Sequence, residues 1–303
     1  MQKSLLKQET YPDWFFKQLY QITRIVKLKV VIVMMFSSLI GMLIAPSYVQ
    51  DISKISSGIT GISLAACASA ALNHLFDKDE DKKMKRTQNR PLAKDKLSPI
   101  TAKTFAVFSI ILSTALLWTL NNPLCATLTL ATTIGYSILY TKWLKPTTPQ
   151  NIVIGGLSGA MPPLLGWCSL TGNITVEPLL LVLIVFSWTP AHFWPLAIAH
   201  KNDYAKTKWP MLPVTHGITF TKLSIIAYAL LTTISTLMPF CIRMTGHLYL
   251  SVACILNLRW LYLCKKLWED TNTASGLFKF SIYYILIIFF LLLLDHKTPV
   301  PYV

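Results

Sequence analysis

The chain has 303 residues, of which 53% are hydrophobic and only 14% charged, and its mean hydropathy is +0.50. This composition excludes a soluble globular protein and predicts an integral membrane protein. The net charge of +15 is explained by basic residues that orient the protein in the membrane and that lie on the side where a substrate would bind. We therefore do not interpret it as nucleic-acid binding. The six cysteines form no C-x-x-C pattern, which predicts neither a disulfide framework nor a zinc site.

About nine segments are long and apolar enough to cross a bilayer. In chain order they are residues 25–45, 52–75, 102–120, 123–140, 151–170, 178–198, 219–240, 245–263 and 280–294. The predicted fold class is therefore all-α, a single polytopic membrane domain over residues 1–303 with about nine transmembrane helices. Residues 1–24 are polar and mixed in charge, which predicts a cytoplasmic tail and no cleavable signal peptide.

The basic residues predict the orientation of these spans. If the N-terminus is cytoplasmic, 25 of the 28 Lys and Arg residues fall on one side, and the exceptions are Lys54, Arg243 and Lys297. This pattern predicts a multi-pass protein of a bacterial inner membrane, with a cytoplasmic N-terminus and a periplasmic C-terminus. The cytoplasmic loops at 76–101 and 199–217 are the longest, so we expect the chemistry there.

The second span ends in acids at regular spacing. Asn73, Asp77 and Asp81 are four residues apart, so they share one face if the helix continues through them. A carbonyl and two carboxylates are hard oxygen ligands suited to Mg²⁺, which prefers carboxylates together with substrate phosphates. Asp79 and Glu80 fall off this face, and we expect them to be exposed or to lie behind the ligands.

A basic run follows the acids directly and contains Lys82, Lys83, Lys85, Arg86 and Arg90. A charge run after a membrane helix is usually a solvated loop that fixes topology. Topology needs only Lys and Arg, however, and four acids within five positions repel one another unless a cation joins them. The combination predicts a site for a magnesium diphosphate at the membrane surface.

The sixth span contains Pro190 and Pro195, which are expected to break or kink the helix and to free carbonyls that line a cavity. His192 lies between them at membrane depth, where a histidine is costly unless it has a function or an interhelical hydrogen bond. Phe193 and Trp194 are interpreted either as interfacial aromatics or as part of a pocket.

The motif pattern resembles a known family. The pattern N-x-x-x-D-x-D-x-D-x-x-M-x-R-T-x-x-R-P-L at 73–92 resembles the first aspartate-rich motif of the UbiA-type intramembrane prenyltransferases, and its details resemble the haem O synthase branch. Further matches follow in the same order: Tyr140-Thr141-x-Trp143-Leu144-Lys145, Pro162-Pro163-Leu164-Leu165-Gly166-Trp167, Trp188-Thr189-Pro190, His192-Phe193-Trp194, Asp203-Tyr204 and Pro210-Met211-Leu212-Pro213. The resemblance covers residues 25–217 with specific motifs.

The resemblance implies nine transmembrane helices around a central cavity, and Mg²⁺-dependent transfer of a farnesyl group from farnesyl diphosphate to a vinyl group of haem b. The implied catalytic and magnesium-binding residues are Asn73, Asp77, Asp81 and Asp203. The implied diphosphate-binding residues are Lys78, Arg86, Arg90, Lys142, Lys201 and Tyr204. His192, Phe193 and Trp194 are expected in the haem and prenyl pocket. His74, His192, His200 and His216 are equivalent candidates for an axial ligand to the haem iron.

The chain departs from the branch pattern at several positions. Pro146 stands where an Arg is usual, which puts the diphosphate contacts of that loop in doubt, and Ala191 stands where a second Pro is usual. Lys78 replaces the usual Arg between the first two aspartates. Lys208 and Trp209 occupy positions where small or aliphatic residues are usual.

The expected partners are farnesyl diphosphate, haem b and the lipid bilayer, with association with haem-copper oxidase assembly or haem A synthase as a further expectation. One alternative is a UbiA-type enzyme that prenylates a quinone precursor or another tetrapyrrole. The other alternative is a transporter, which would have its charges buried within the spans and not gathered at one mouth.

Overall fold

The computed structural model describes residues 11–46 and 51–296 of the chain. The predicted C-terminal segment beyond residue 296, with Lys297, and the first ten residues of the predicted tail lie outside these described residues. In chain order the helices are α1 (Tyr11–Ile25), α2 (Leu28–Leu43), α3 (Ile52–Phe76), α4 (Lys78–Asp81), α5 (Pro99–Asn121), α6 (Pro123–Thr147), α7 (Asn151–Thr171), α8 (Val176–Ala199), α9 (Lys201–Tyr204), α10 (Leu212–Thr215), α11 (Gly217–Cys241), α12 (His247–Glu269) and α13 (Thr271–Leu294).

Eight of the described helices are long and apolar enough to cross a membrane, and α1 with α2 forms a ninth candidate that is bent by 60°. The predicted first span, 25–45, therefore corresponds to α2 together with the end of α1. The bend lies at Lys27, whose backbone is in the left-handed region at φ 52° and ψ 52°. Non-glycine residues rarely adopt this conformation, so surrounding contacts must hold it.

Helix boundaries follow sequence signals that satisfy the first free N–H groups. The side chain of Ser98 accepts a hydrogen bond from Ile100 N (3.2 Å) and precedes Pro99, and that of Asn122 accepts from Cys125 N (2.9 Å) and precedes Pro123. A capping acceptor followed by proline at the first helical position favours a helix start. The fourth and ninth spans are longer than predicted, ending at Thr147 and starting at Thr271.

Proline does not end the sixth span. Pro190 and Pro195 both lie inside α8, which remains one helix from Val176 to Ala199. Of the two outcomes expected from these prolines, a break or a kink, the break does not occur. Two other helices carry π-helical segments, at Leu117–Asn121 in α5 and at Gly135–Leu144 in α6. Such segments shift the face on which later residues lie.

Small residues allow α2 and α7 to pack at backbone contact. A Cβ added at Gly41 would collide with the carbonyl oxygen of Pro163, and one at Gly166 would collide with that of Ser38. Elsewhere in α7, Gly155 packs on the ring of Tyr140 in α6, whereas Gly159 has no neighbouring heavy atom within 4 Å of an added Cβ. Close helix approach is the usual role of such residues in membranes.

Different loops and helix ends are in contact at the two ends of the helical bundle. At one end Arg24 donates to Asn89 O (3.2 Å), joining α1 to the loop after α4. At the opposite end Asn121 donates to Lys54 O (2.8 Å), and Thr245 forms an isolated bridge with His296. The long loops 76–101 and 199–217 lie at the first end, as the contacts of the candidate site show.

Candidate active site

Asn73, Asp77 and Asp81 form a buried column at the end of α3. The helical hydrogen bonds continue beyond Phe76, with Asp77 N bonded to Asn73 O (3.0 Å) and Asp81 N bonded to Asp77 O (2.8 Å). The three side chains are only 3%, 3% and 1% exposed, and Asn73 Nδ2 donates to Asp77 Oδ2 at 3.0 Å. The four-residue spacing thus places the two carboxylates and the amide along one line.

Three basic side chains surround this column. Lys145 Nζ lies 2.5 Å from Asp77 Oδ2, and Arg90 Nη1 donates to both carboxylate oxygens of Asp81 at 2.9 and 2.7 Å. Lys27 Nζ donates to Asn73 Oδ1. Burial raises the pKa of Asp81 above its ordinary value, against the opposing effect of the Arg90 guanidinium. Buried carboxylates require such partners, because an unpaired buried charge is strongly unfavourable.

Two of these cations were missed by the sequence interpretation. Lys142, expected at the diphosphate, is exposed, and Lys145 one turn later reaches Asp77 instead. The π-helical segment Gly135–Leu144 explains the difference, because its wider turns rotate Lys145 to a face that ordinary helical periodicity does not predict. Lys27 reaches Asn73 only through the left-handed bend between α1 and α2. A basic residue at the start of a span was its only sequence signal.

The predicted residues of the second loop approach the first loop through Tyr204. Tyr204 is buried, its hydroxyl accepts from Arg86 Nη2 at 3.5 Å, and burial raises the pKa of that hydroxyl. Asp203 forms an ion pair with Lys206 (3.4 Å), and within the described part of the chain its carboxylate has no direct bond to the acid column. Lys201 is half-buried in the same short helix, α9.

The remaining charges of the first loop divide between solvent and interior. Asp79 is exposed, as expected, and Lys78 turns to Asp95, with 2.6 Å between Nζ and Oδ1. Glu80 is buried, and its Oε2 accepts a hydrogen bond from the backbone N of Lys208 at 3.0 Å. Glu80 therefore lies behind the column and joins the two loops, a contact that spacing along one helix could not reveal.

The predicted haem and prenyl pocket residues lie deeper in α8. The ring of His192 stacks against Trp188 (4.1 Å between centroids) and Phe278 (4.6 Å), and its Nδ1 lies 2.5 Å from Ser281 Oγ. Trp194 is buried and packs edge-on against the ring of Tyr228 in α11. Phe193 is half-buried beside them.

His74 is a further buried polar group next to the column. It follows Asn73 in α3, is nearly inaccessible, and neither ring nitrogen has a hydrogen-bond partner among the described residues. The sequence interpretation treated it only as one of four possible axial ligands. A buried unpaired imidazole is costly, so an acceptor or donor from a bound molecule would stabilise it.

The donors of the column suit a hard divalent cation bound jointly with a phosphorylated substrate. Within residues 11–46 and 51–296, no group of three or more His, Cys, Asp or Glu side chains could hold a metal ion by itself. Asn73, Asp77 and Asp81 offer one carbonyl and two carboxylates, and Mg²⁺ usually completes its shell with water and substrate phosphate oxygens. The residues present therefore fit a magnesium ion whose remaining ligands come from substrate.

Two relatives of similar sequence are named protoheme IX farnesyltransferases. The chain is 50% identical over 275 residues to the "Protoheme IX farnesyltransferase" of Azotobacter vinelandii, covering 90% of this chain and 92% of the relative. It is 45% identical over 295 residues to the "Protoheme IX farnesyltransferase 1" of Pseudomonas fluorescens, covering 97% of each chain.

Solved structures with low sequence identity share the fold. One described for the biosynthesis of digeranylgeranylglyceryl phosphate synthase in membranes has a TM-score of 0.76 at 20% identity, covering 92% of this chain and 98% of that chain. A UbiA homolog from Archaeoglobus fulgidus bound to DMAPP and Mg²⁺ has a TM-score of 0.66 at 15% identity, covering 90% and 99%. The model of the UbiA prenyltransferase family matches residues 34–294. The chain therefore belongs to the UbiA prenyltransferase family.

Proposed function

We propose that the chain is a protohaem IX farnesyltransferase, which transfers the farnesyl group of farnesyl diphosphate to a vinyl group of haem b and so makes haem O. The observation that carries this proposal is the identity of about half of all aligned residues, over nine-tenths of the chain, to relatives of that name. The buried acid column with its basic neighbours supports the diphosphate half of the reaction independently of any relative.

The diphosphate binds at the mouth formed by the first loop. Arg90, Lys145 and Lys27 supply nitrogen donors at the column, and Arg86 supplies a further one beside Tyr204. Guanidinium and ammonium groups suit phosphate oxygens. The free ring nitrogens of His74 offer a further donor on the same side. Lys78, Lys142 and Lys201 lie outside the buried group, and their predicted contacts with the diphosphate would require side-chain movement.

Asn73, Asp77 and Asp81 would hold magnesium, with Asp203 contributing from the second loop. When bound, the ion supplies positive charge that stabilises the departing diphosphate. Lys145 and Arg90 now neutralise the two carboxylates of the column. With magnesium bound, these two side chains would be available to bind phosphate oxygens.

The transfer step breaks the allylic C–O bond, and the diphosphate leaves with the electron pair. The vinyl group of haem then donates its π electrons to form the new C–C bond, and water adds to the resulting cationic carbon and loses a proton. The allylic cation must be protected from water until the C–C bond has formed. The aromatic side chains Trp188, Phe193 and Trp194 supply apolar walls for this, and ring faces also stabilise a cation.

Among the four candidate histidines, His192 is best suited to meet the haem. Its Nδ1 is held by Ser281 Oγ, which fixes the ring and leaves Nε2 for a ligand or an acceptor. His216 is exposed and bonded to Thr215 Oγ1 at 2.8 Å, and His200 lies at the end of α8. We therefore assign His192, with Phe193 and Trp194, to the haem and prenyl pocket.

We further propose that the acid column faces the cytoplasm across a bacterial inner membrane, since farnesyl diphosphate is made in the cytosol. The distribution of Lys and Arg supports this orientation. Association with haem-copper oxidase assembly or haem A synthase is a proposal on function alone, because haem O is an intermediate of haem-copper oxidase cofactors.

The decisive experiment is expression in a bacterial strain that lacks its own haem O synthase. Extracted pigments should contain a haem heavier than haem b by one farnesyl group and one hydroxyl group. Parallel assays with aromatic acid quinone precursors and other tetrapyrroles should give no prenylated product. Prenylation of one of these acceptors in place of haem b would establish a UbiA-type enzyme with a different acceptor. Absence of prenyl transfer to every acceptor, together with transport of a solute across the membrane, would favour a transporter.

A further inference from the structure

We propose that Trp209 is a positioning residue for diphosphate binding: its indole face holds the ammonium of Lys145 at the acid column, and Glu80 fixes the loop that carries it. This inference rests on the proposed function, because it assigns a role in binding the diphosphate of that same site. It concerns a position where the family resemblance predicts a small or aliphatic residue.

The indole and the acid column hold the same ammonium group. Lys145 Nζ lies 3.7 Å from the ring centroid of Trp209 and 2.5 Å from Asp77 Oδ2. Trp209 is only 6% exposed, so this contact is shielded from solvent. Cation–π contacts are stronger when they are shielded from water than when they are exposed.

The turn that carries Trp209 is held by hydrogen bonds within its own loop and by one to the first loop. Trp209 N donates to Thr207 Oγ1 (3.3 Å), and Thr207 Oγ1 donates to Tyr204 O (2.8 Å). The neighbouring Lys208 N donates to Glu80 Oε2 (3.0 Å) across the gap between the two loops. The second loop is thereby tied to α4, the helix that presents Asp81.

An aromatic face is a suitable partner for a cation that must also bind substrate. A carboxylate at this place would form an ion pair with Lys145 that the diphosphate would have to break. An aliphatic side chain would leave Asp77 as the sole strong partner of the ammonium. The indole attracts the ammonium without a formal negative charge, so Lys145 keeps its place when Asp77 binds a metal ion and remains available to a phosphate oxygen.

The test is steady-state kinetics on the full-length protein in detergent or nanodiscs, with haem b saturating and farnesyl diphosphate varied. Trp209→Leu should raise KM for farnesyl diphosphate by about 2- to 30-fold, the range that corresponds to about 0.5–2 kcal/mol of lost cation–π energy. We expect kcat to stay within about twofold, and Trp209→Phe to give an intermediate KM because it keeps a ring face.

A double-mutant cycle separates positioning from a general structural effect. In a Lys145→Met background, Trp209→Leu should produce no further rise in KM, since the side chain through which it acts is gone. Trp118→Leu is the matched control, because Trp118 is 52% exposed in α5, which runs toward the opposite end of the bundle, and its loss should leave KM unchanged. If Trp209→Leu fails to fold, Trp209→Met supplies a longer and more flexible non-aromatic side chain for the same comparison.

Binding of inorganic pyrophosphate with Mg²⁺, measured by calorimetry, makes the test independent of the acceptor. Weaker binding to Trp209→Leu than to the wild type would support the inference even if haem b proved to be the wrong acceptor. The inference is overturned by wild-type KM and pyrophosphate affinity in Trp209→Leu, or by an effect of the same size with and without Lys145. A fall in kcat alone at unchanged KM would also overturn it.

Discussion

Lys145 and Asp77 are 68 residues apart in the chain, yet the ammonium of one lies 2.5 Å from a carboxylate oxygen of the other, both nearly inaccessible to solvent. This ion pair joins the end of the second crossing to the end of the fourth. It places a phosphate-binding cation directly on a proposed magnesium ligand.

Asp77→Asn should reduce haem O formation by about 100-fold or more while leaving the protein in the membrane. The change keeps volume but removes a hard anionic ligand and leaves Lys145 without its charged partner. Haem O would be measured by pigment extraction from membranes with matched protein content. Asp79→Asn is the control, because Asp79 is exposed and off the column. Near wild-type product from Asp77→Asn would remove Asp77 from the magnesium set.

Lys145→Met should raise KM for farnesyl diphosphate by about tenfold or more, whereas Lys142→Met should change it by less than about threefold. The reason is burial: Lys145 Nζ contacts Asp77, and Lys142 is exposed. The comparison uses two residues of the same type three positions apart. A larger effect at position 142 would mean that α6 turns differently in the working enzyme and would restore the original sequence prediction.

Asp203→Asn tests whether the second loop completes the metal site. If Asp203 binds magnesium in the loaded enzyme, the variant should lose activity as Asp77→Asn does. Rescue by a higher Mg²⁺ concentration would indicate a role in metal affinity. Unchanged activity at every Mg²⁺ concentration would leave Asp203 as a loop residue paired with Lys206, the contact that it has in this structure.

Gly166→Ala should destabilise the protein, because the added methyl group would collide with the backbone oxygen of Ser38 in α2. Overpacking of this kind typically costs about 1–3 kcal/mol. The midpoint of thermal unfolding in detergent should fall clearly. Gly276→Ala in α13 is the matched control, since no atom lies within 4 Å of its added Cβ and alanine favours a helix. Equal midpoints for the two variants would show that α2 and α7 are not packed at backbone contact.

The orientation can be tested with single cysteines in a variant without the six natural ones. A cysteine at Gln88 should resist a membrane-impermeant thiol reagent in whole cells and react in inverted vesicles. A cysteine at Arg243, which is exposed near the opposite end, should behave the other way. Haem O formation by the cysteine-free parent controls for folding. Labelling of position 88 in intact cells would reverse the topology and the proposed access of farnesyl diphosphate.

The sequence predicts the helical class and the segments that cross the membrane, because long apolar stretches have few alternative structures. It also predicts that Asn73, Asp77 and Asp81 lie in one line, since residues four positions apart share one face of a helix. The metal-binding role of that line stays a prediction.

The cations around the column could not be assigned in the same way. Lys145 depends on a π-helical segment, Lys27 on a left-handed residue, and both are set by tertiary packing that local sequence does not encode. The bond from Glu80 to Lys208 N joins loops 128 positions apart, beyond the reach of any periodicity. Pro190 and Pro195 show the converse: a strong local signal for a break was overridden within α8.

The left-handed bend at Lys27 connects the first helix directly to the active site. Arg24 anchors α1 to the loop at Asn89, and the side chain of Lys27, at the bend, donates to Asn73. The orientation of α1 therefore determines where the Lys27 ammonium lies. Rotation of α1 by a bulky fusion, or its removal by truncation, would move that ammonium without altering any residue of the acid column. Variants shortened at this end should therefore be treated as active-site variants.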